Sequence, residues 1–314
     1  VDLSAPHHKN SFDDMLEATA PLAPIVTAVV HPVDAASLEG ALAALEKGLI
    51  TPLLVGPEDR IKAAAQEHAL DISACEIIDA PHSHDSAETA VRLVREGRAQ
   101  AIMKGALHTD EVMSAVVHKT HGLRTERRMS HVFVLDVPAY PKPLMITDAA
   151  INIFPDLMAK ADIVQNAIGL AQAIGVDTPK VAILSALETI YPKIPSTVEA
   201  AALCKMADRG QITGGVLDGP LAFDNAISRR AADAKGIKSE VPGDADILVA
   251  PDLEAGNMIA KQLMYLAGAD SAGIVLGARV PIMLTSRADG TLSRLVSAAL
   301  AQLMVHHSLG KDLM

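Results

Sequence analysis

Near the end of the chain an apolar run, VPIML, stops abruptly at Thr285-Ser286-Arg287-Ala288-Asp289-Gly290. A hydroxyl, a guanidinium and a carboxylate placed directly after a strand pattern sit where a strand turns into a helix. The free N–H groups and partial positive charge of a helix N-terminus favour an anion there. Arg287 adds a rigid two-pronged donor suited to a phosphate or a developing oxyanion. Ser286 supplies a short donor or acceptor beside it. The same residues also make an ordinary helix start, with Ser286 or Asp289 as the cap and Arg287 in solvent. The pattern alone leaves both readings open.

Other stretches share this design. In MKGALHTDE a strand ending at Ile102-Met103 gives way to Gly105, which permits close backbone approach. His108 and Thr109 follow, ahead of a helix whose first turn carries Asp110 and Glu111. The stretch is not a P-loop, because GxxxxGK[ST] is absent. LDGPLAFDNA and APDLEAGNM each combine a post-strand aspartate, Asp218 or Asp252, with glycine and an amide, Gly256 and Asn257 in the second. Such aspartates orient a loop through Asx-type bonds or accept from a ligand. HGLRTERRMSH gathers Arg124, Arg127 and Arg128 before an apolar run. That cluster is a candidate anion site, or else a solvated helix end neutralised by Glu126. The histidines, including His82, His84, His306 and His307, lack the spacing of a metal site. Cys75 and Cys204 are the only cysteines and belong to no CxxC, so both read as small buried hydrophobes in a reduced, cytoplasmic setting. No GxSxG elbow and no GxGxxG after a strand are present, which removes support for acyl-serine chemistry and a standard dinucleotide site.

These segments need a scaffold, and the composition indicates which. The chain has 314 residues, half of them hydrophobic, with 2% aromatic and no tryptophan. Its interior is therefore built from Ala, Val, Ile, Leu and Met, as in helices packed on parallel strands. Short β-branched runs alternate with longer amphipathic segments, which predicts βα units in one long twisted sheet or in two. Strands are predicted at 25–30, 52–55, 75–79, 100–103, 131–136, 143–147, 180–184, 215–217, 245–249, 272–276 and 281–284. Helices are predicted at 35–47, 57–69, 85–96, 155–174, 196–209, 254–267 and 291–304. The proline-rich stretch 136–148 breaks this rhythm and reads as a crossing between two halves. In such folds ligands gather at the carboxyl ends of strands, where the motifs above fall. A formal charge of -11 argues against non-specific nucleic-acid binding and makes each arginine cluster informative. No apolar run reaches the roughly 18 residues of a membrane span, and the first residues lack the pattern of a signal peptide, so a soluble, unexported protein is expected.

Taken in order, PLLVGPEDRI, MKGALHT, ITDAAINIFPDLMAKADIVQNAI, LSALETIYPKIPSTVEAAALCKMADRGQITGGVLDGPLAFDNA, ADILVAPDLEAGNM and GARVPIMLTSRAD resemble the phosphate acetyl/butyryltransferase family over almost the whole chain. PKIPSTVEA and LTSRAD are closer to its butyryl-type branch and to the acyltransferase part of longer fusion proteins. The resemblance implies two α/β domains with mainly parallel sheets and a cleft between them, like isocitrate and isopropylmalate dehydrogenases. It places domain I at 1–136 and 274–314 and domain II at 137–273, usually in a homodimer. It also implies acyl-CoA and inorganic phosphate as substrates, direct acyl transfer without cofactor or metal, and no nucleic-acid or membrane partner.

The Ser-Arg pair of the family falls on Ser286 and Arg287, giving Arg287 the oxyanion or phosphate and Ser286 the leaving sulfur. Gly105, His108, Thr109, Arg127, Arg128, Asp218, Asp252, Gly256 and Asn257 stand as candidate phosphate or CoA contacts. Classical acetyl enzymes carry an aspartate seven residues after the motif serine, where this chain has Ser293. The base for the thiol is therefore open between Asp289 and solvent. The competing readings are a metal- and NAD(P)-dependent decarboxylating dehydrogenase of the related fold, and a non-catalytic acyl-CoA sensor.

Overall fold

The computed structural model of the protein describes residues 11–284 and 290–312. After α1 (Ser11–Thr19) the chain builds β1 (Ile25–Val30), α2 (Ala35–Glu46), β2 (Ile50–Gly56), α3 (Glu58–Glu67), β3 (Glu76–Asp79), α4 (Ser83–Arg95), β4 (Ala101–Lys104) and α5 (Thr109–Val116). It continues with β5 (Ser130–Asp136), β6 (Leu144–Thr147), α6 (Leu157–Ala173), β7 (Lys180–Leu184), α7 (Pro195–Asp208) and β8 (Val216–Leu221). Then come α8 (Phe223–Ile227), α9 (Arg229–Ala234), β9 (Ile247–Val249), α10 (Leu253–Tyr265), β10 (Asp270–Leu276), β11 (Ile282–Met283) and α11 (Thr291–Asp312). No described helix is long and apolar enough to cross a membrane.

The chain divides into two compact units. Among the described residues, a terminal unit falls within Asp14–Arg127 and Ala272–Met314, and a central unit comprises Arg128–Ser271 together with the start of α1 up to Asp13. In the terminal unit the strands follow the order β3-β2-β1-β4-β11-β10. Neighbours from β3 to β11 pair in parallel, whereas β10 runs antiparallel to β11. In the central unit the order is β5-β6-β9-β7-β8, parallel apart from the antiparallel pair β5/β6. Strand β1, IVTAVV, is buried on both faces apart from Val26, as parallel strands covered by helices require. Aspartate caps start the helices that leave the strands. Asp34 accepts from the Ser37 N–H, Asp156 from Ala159 and Asp252 from Ala255. Each such cap stabilises its helix by about 1 kcal/mol.

The proline-rich stretch turns β5 back into β6, with Val132 opposite Thr147 and Leu135 opposite Leu144, so both strands lie in the central unit. The Tyr140 hydroxyl donates to the Ala245 carbonyl at 2.6 Å, and Lys142 bridges Asp244 and Asp246 at 2.9 and 2.8 Å. These bonds pin the turn to the start of β9. Leu135, Leu144, Ile146, Leu184 and Leu248 fill the core beneath it, each burial worth roughly 1.5–3 kcal/mol.

Strand β8 differs from expectation. A strand ending at 217 would leave Asp218 on a loop, but β8 runs to Leu221 and holds Asp218, Gly219 and Pro220 within it. Proline is tolerated because β8 is last in its unit's strand order, so the missing N–H interrupts no further pairing. The register against β7 shifts between Ala182 and Leu184, and the Gly219–Pro220 peptide is cis. Neither cysteine is fully buried as expected; Cys75 and Cys204 are both of intermediate exposure.

Candidate active site

In the central unit, β6 and β9 run side by side and end together, with Thr147 beside Val249. The loop leaving β6 folds onto its own aspartate. Asp148 is 3% exposed, and its Oδ1 accepts from the Ala150 and Ile151 N–H groups at 2.9 and 3.1 Å. Its Oδ2 accepts from the Asn152 N–H at 3.1 Å and from Asn152 Nδ2 at 2.6 Å. A buried carboxylate needs such donors, since an uncompensated charge costs several kcal/mol. Asn152 Nδ2 donates its other hydrogen to the Met129 carbonyl at 2.8 Å, which fixes the amide orientation and turns Oδ1 toward Arg128. Arg128 Nε donates to that oxygen at 2.8 Å.

The backbone of Arg128 is held as firmly. Its N–H donates to Asp162 Oδ2 at 2.8 Å, and its carbonyl accepts from Asn166 Nδ2 at 2.9 Å. Arg128 is exposed, and no described residue bonds Nη1 or Nη2. Three residues on, in β5, His131 is buried, and its pKa is pushed down to about 4 by burial, with Asp148 opposing part of the shift. The imidazole is therefore neutral at pH 7 and leaves the Asp148 charge to the amide donors.

The first turn of α10 closes this loop from the other side. Asp252 caps that helix through Ala255, and Asn257 Nδ2 donates to the Ala149 carbonyl at 3.1 Å. A Cβ on Gly256 would lie 2.5 Å from the Asp148 carbonyl oxygen, so only glycine lets the helix approach. Asp252, Gly256 and Asn257 thus all have structural work at the end of β9. Asp218 stands apart from them in β8. Its Oδ1 accepts from the Gly219 N–H at 2.9 Å, and its Oδ2 is buried with no hydrogen-bond partner. Cys204 donates to the Gly219 carbonyl at 3.7 Å, and burial first and Asp218 second push its thiol up to about 12. Burial likewise raises Cys75. Neither thiol is a thiolate nucleophile at neutral pH.

In the terminal unit the strand order places the switch in connection direction between β1 and β4, the position where open α/β sheets hold ligands. His31 follows β1 in a left-handed conformation, φ 55°, and is buried. Ser86 Oγ donates to the His82 carbonyl, so His31 Nδ1 is the donor in its 3.2 Å contact with Ser86 and Nε2 is left as an acceptor. Burial and then Arg60 lower the pKa of this imidazole. Sequence reasoning does not single out His31; its only signal there is a histidine directly after a strand.

Gly105 follows β4. Its N–H donates to the Val30 carbonyl at 2.9 Å, and a Cβ would lie 2.4 Å from that same oxygen. Lys104, buried, donates from Nζ to the Leu107 carbonyl at 3.2 Å. His108 is the N-cap of α5, with its N–H bonded to Glu111 Oε2 at 2.9 Å, and Thr109 is the first helical residue; both side chains are exposed. The neighbouring arginines now separate. Arg127 donates its N–H to Thr125 Oγ1, which itself donates to the Gly277 carbonyl, and its side chain is exposed. Only Arg128 has its guanidinium anchored within the β6 loop.

Ser286, Arg287 and Asp289 lie outside the described residues. The elements on either side are described. Strand β11 pairs in parallel with β4, Met283 beside Met103, and α11 begins at Thr291. Ser293 lies in the first turn of α11 and its carbonyl accepts from Ser297 Oγ at 2.8 Å. A groove of about 770 Å³ between α4 and α5, lined by His84, Glu88, Arg92, Arg95, Glu111 and His118 among others, holds none of the residues taken from the sequence as candidate catalytic, phosphate or CoA contacts.

Residues 81–302 match the family model described as phosphate acetyl/butaryl transferase. A phosphate acetyltransferase of Rhizobium meliloti is 62% identical over 298 residues, covering 95% of this chain and 94% of that protein. A phosphate butyryltransferase of Clostridium acetobutylicum is 43% identical over 267 residues, covering 85% of this chain and 89% of that protein. Among solved structures, a branched-chain phosphotransacylase from Enterococcus faecalis V583 superposes with a TM-score of 0.79 at 31% identity, covering 90% of this chain and 99% of that one.

Proposed function

Because this chain belongs to the phosphate acetyl/butaryl transferase family and is a phosphate acyltransferase, we propose that it exchanges CoA for inorganic phosphate in a single direct step, with no acyl-enzyme and no resident cofactor. A phosphate oxygen attacks the thioester carbonyl, a tetrahedral oxyanion forms, and the C–S bond breaks to give acyl phosphate and CoA thiolate. The thiolate then takes a proton from solvent or a nearby acid, which is undemanding because a thiol pKa is about 8.5. The protein's tasks are to hold two anions together and to stabilise the oxyanion. In this reading Arg287 serves the oxyanion or phosphate, Ser286 the sulfur, and Asp289 is the nearest candidate base.

The observation that carries the proposal is Arg128: in a chain of formal charge -11, its guanidinium is anchored at Nε while Nη1 and Nη2 meet no described partner. A fixed fork of this kind suits phosphate oxygens. The raised thiol of Cys204 agrees with direct transfer. We extend the proposal to a cytoplasmic homodimer formed through the central unit, supported by the exposed apolar side chains of Phe154, Met158 and Ile190, at 76%, 64% and 60% exposure. It also keeps a two-domain plan, with the boundary moved from 136/137 to 127/128 so that β5 joins β6 in the central unit, and the likeness to isocitrate and isopropylmalate dehydrogenases.

The test is thiol release from acetyl-, butyryl- and octanoyl-CoA with and without phosphate. Release is expected for a short acyl chain only when phosphate is present. Absence of release with every acyl-CoA would overturn the reading, and acyl-CoA binding without turnover would make the chain a sensor.

A further inference from the structure

We propose that Asn152 and Asp148 are positioning residues that aim the Arg128 guanidinium at a phosphate group of a substrate, an inference that rests on reading Arg128 as an anion contact. A carboxylate bonded directly to the guanidinium would occupy the fork and cancel its charge. Here a neutral amide stands between them. Asn152 Oδ1 takes only the Nε hydrogen, at 2.8 Å, so the bonds that fix the side chain leave the outer pair of nitrogens unused by any described residue. The amide is itself prevented from turning, because Nδ2 is committed to Asp148 Oδ2 at 2.6 Å and to the Met129 carbonyl at 2.8 Å. Asp148 in turn is locked by three backbone N–H groups of the same loop.

The order of dependence is therefore Asp148, then Asn152, then Arg128. A free arginine loses substantial rotamer entropy when it engages a ligand. One whose Nε and backbone are already bonded loses less, and so binds an anion more tightly with the same contacts. The charged and titratable groups around the relay do not cancel it. Asp148 is saturated by N–H donors, Asp162 is engaged by the Arg128 N–H, and His131 is neutral. The fork faces either inorganic phosphate or a phosphate of CoA; the chemistry is shared, and the substrate whose KM moves distinguishes them.

The experiment is a double-mutant cycle in the full chain with Arg128→Ala, Asn152→Ala and the double variant. KM for phosphate, KM for acetyl-CoA, kcat and thermal midpoint are measured for each. Asn152→Ala is expected to raise one of the two KM values by about tenfold, the size of a hydrogen bond to a charged group, with a smaller change in kcat. Arg128→Ala is expected to raise the same KM at least as much, and the double variant to match Arg128→Ala alone.

Native KM values in Asn152→Ala, or penalties that add in the double variant, would overturn the relay while leaving Arg128 as a contact. Native KM values in Arg128→Ala would instead remove Arg128 from the site, and the relay with it. If Asn152→Ala does not fold, Asn152→Ser, too short to reach Nε, carries the same comparison. A lower thermal midpoint with unchanged KM would show the loop bonds to be purely structural and would sink the proposal.

Discussion

Replacing Arg287 with alanine is expected to lower turnover by at least about a hundredfold while the thermal midpoint stays within a degree or two of the parent. The expectation follows from where charge appears during the reaction. A dianionic or monoanionic phosphate must approach a CoA thioester inside a protein of formal charge -11, and as the tetrahedral intermediate forms, negative charge moves from the attacking phosphate oxygen onto the carbonyl oxygen. One donor directed at such an oxyanion commonly contributes about 3 to 4 kcal/mol to transition-state stabilisation. Arg287 lies between Met283, which ends β11, and Thr291, which begins α11. Arg287→Lys restores charge without the planar fork, so it should recover part of the loss and no more. The proposed role shows in kcat, with the KM for phosphate changing less. A near-native rate for Arg287→Ala would remove it from the chemistry.

A large effect on stability is expected at Gly105, the glycine that brings β4 against β1. Valine there is expected to cost on the order of 3 kcal/mol or more, or to leave the chain insoluble. A Cβ would be 2.4 Å from the Val30 oxygen and 3.0 Å from the His31 carbonyl carbon and oxygen, all backbone atoms of β1 or its immediate extension, with which β4 pairs. Neither strand can retreat without breaking its own pairing. Gly169 is the control. It lies in α6, and beyond its own helical turn no atom comes within 4 Å of the place a methyl group would take, so Gly169→Ala should be neutral or stabilising by about 0.5–1 kcal/mol. Denaturant unfolding of both variants decides; a Gly105→Val protein as stable as the parent would contradict the packing described.

The same residue shows what was legible in the sequence and what was not. Strand positions were legible because β-branched runs such as IVTAVV and KVAIL have no helical period, and the aspartates before α2 and α10 announce helix starts. Gly105 and Gly256 read as places for a ligand to approach, but each is required where another backbone segment already sits. A glycine's type records that something is close; it does not record what.

Strand β8 reads as shorter than it is because Gly219 and Pro220 signal a turn wherever pairing position is unknown, and the position at the end of the central unit's strand order is a tertiary fact. The Asp148–Asn152–Arg128 chain was beyond reach for the same reason. Residues 128 and 152 are distant in sequence and meet only because β5 and β6 pair in antiparallel fashion. Arg127 and Arg128 look equivalent as letters, yet only one has an amide placed to receive its Nε hydrogen.

Direct transfer between two bound anions is the claim on which the account turns, and initial-rate kinetics with both substrates varied test it most directly. Intersecting double-reciprocal lines for acetyl-CoA and phosphate, with no exchange of labelled CoA into acetyl-CoA when phosphate is absent, are the predicted result. Parallel lines together with phosphate-independent exchange would reveal an acyl-enzyme and contradict it.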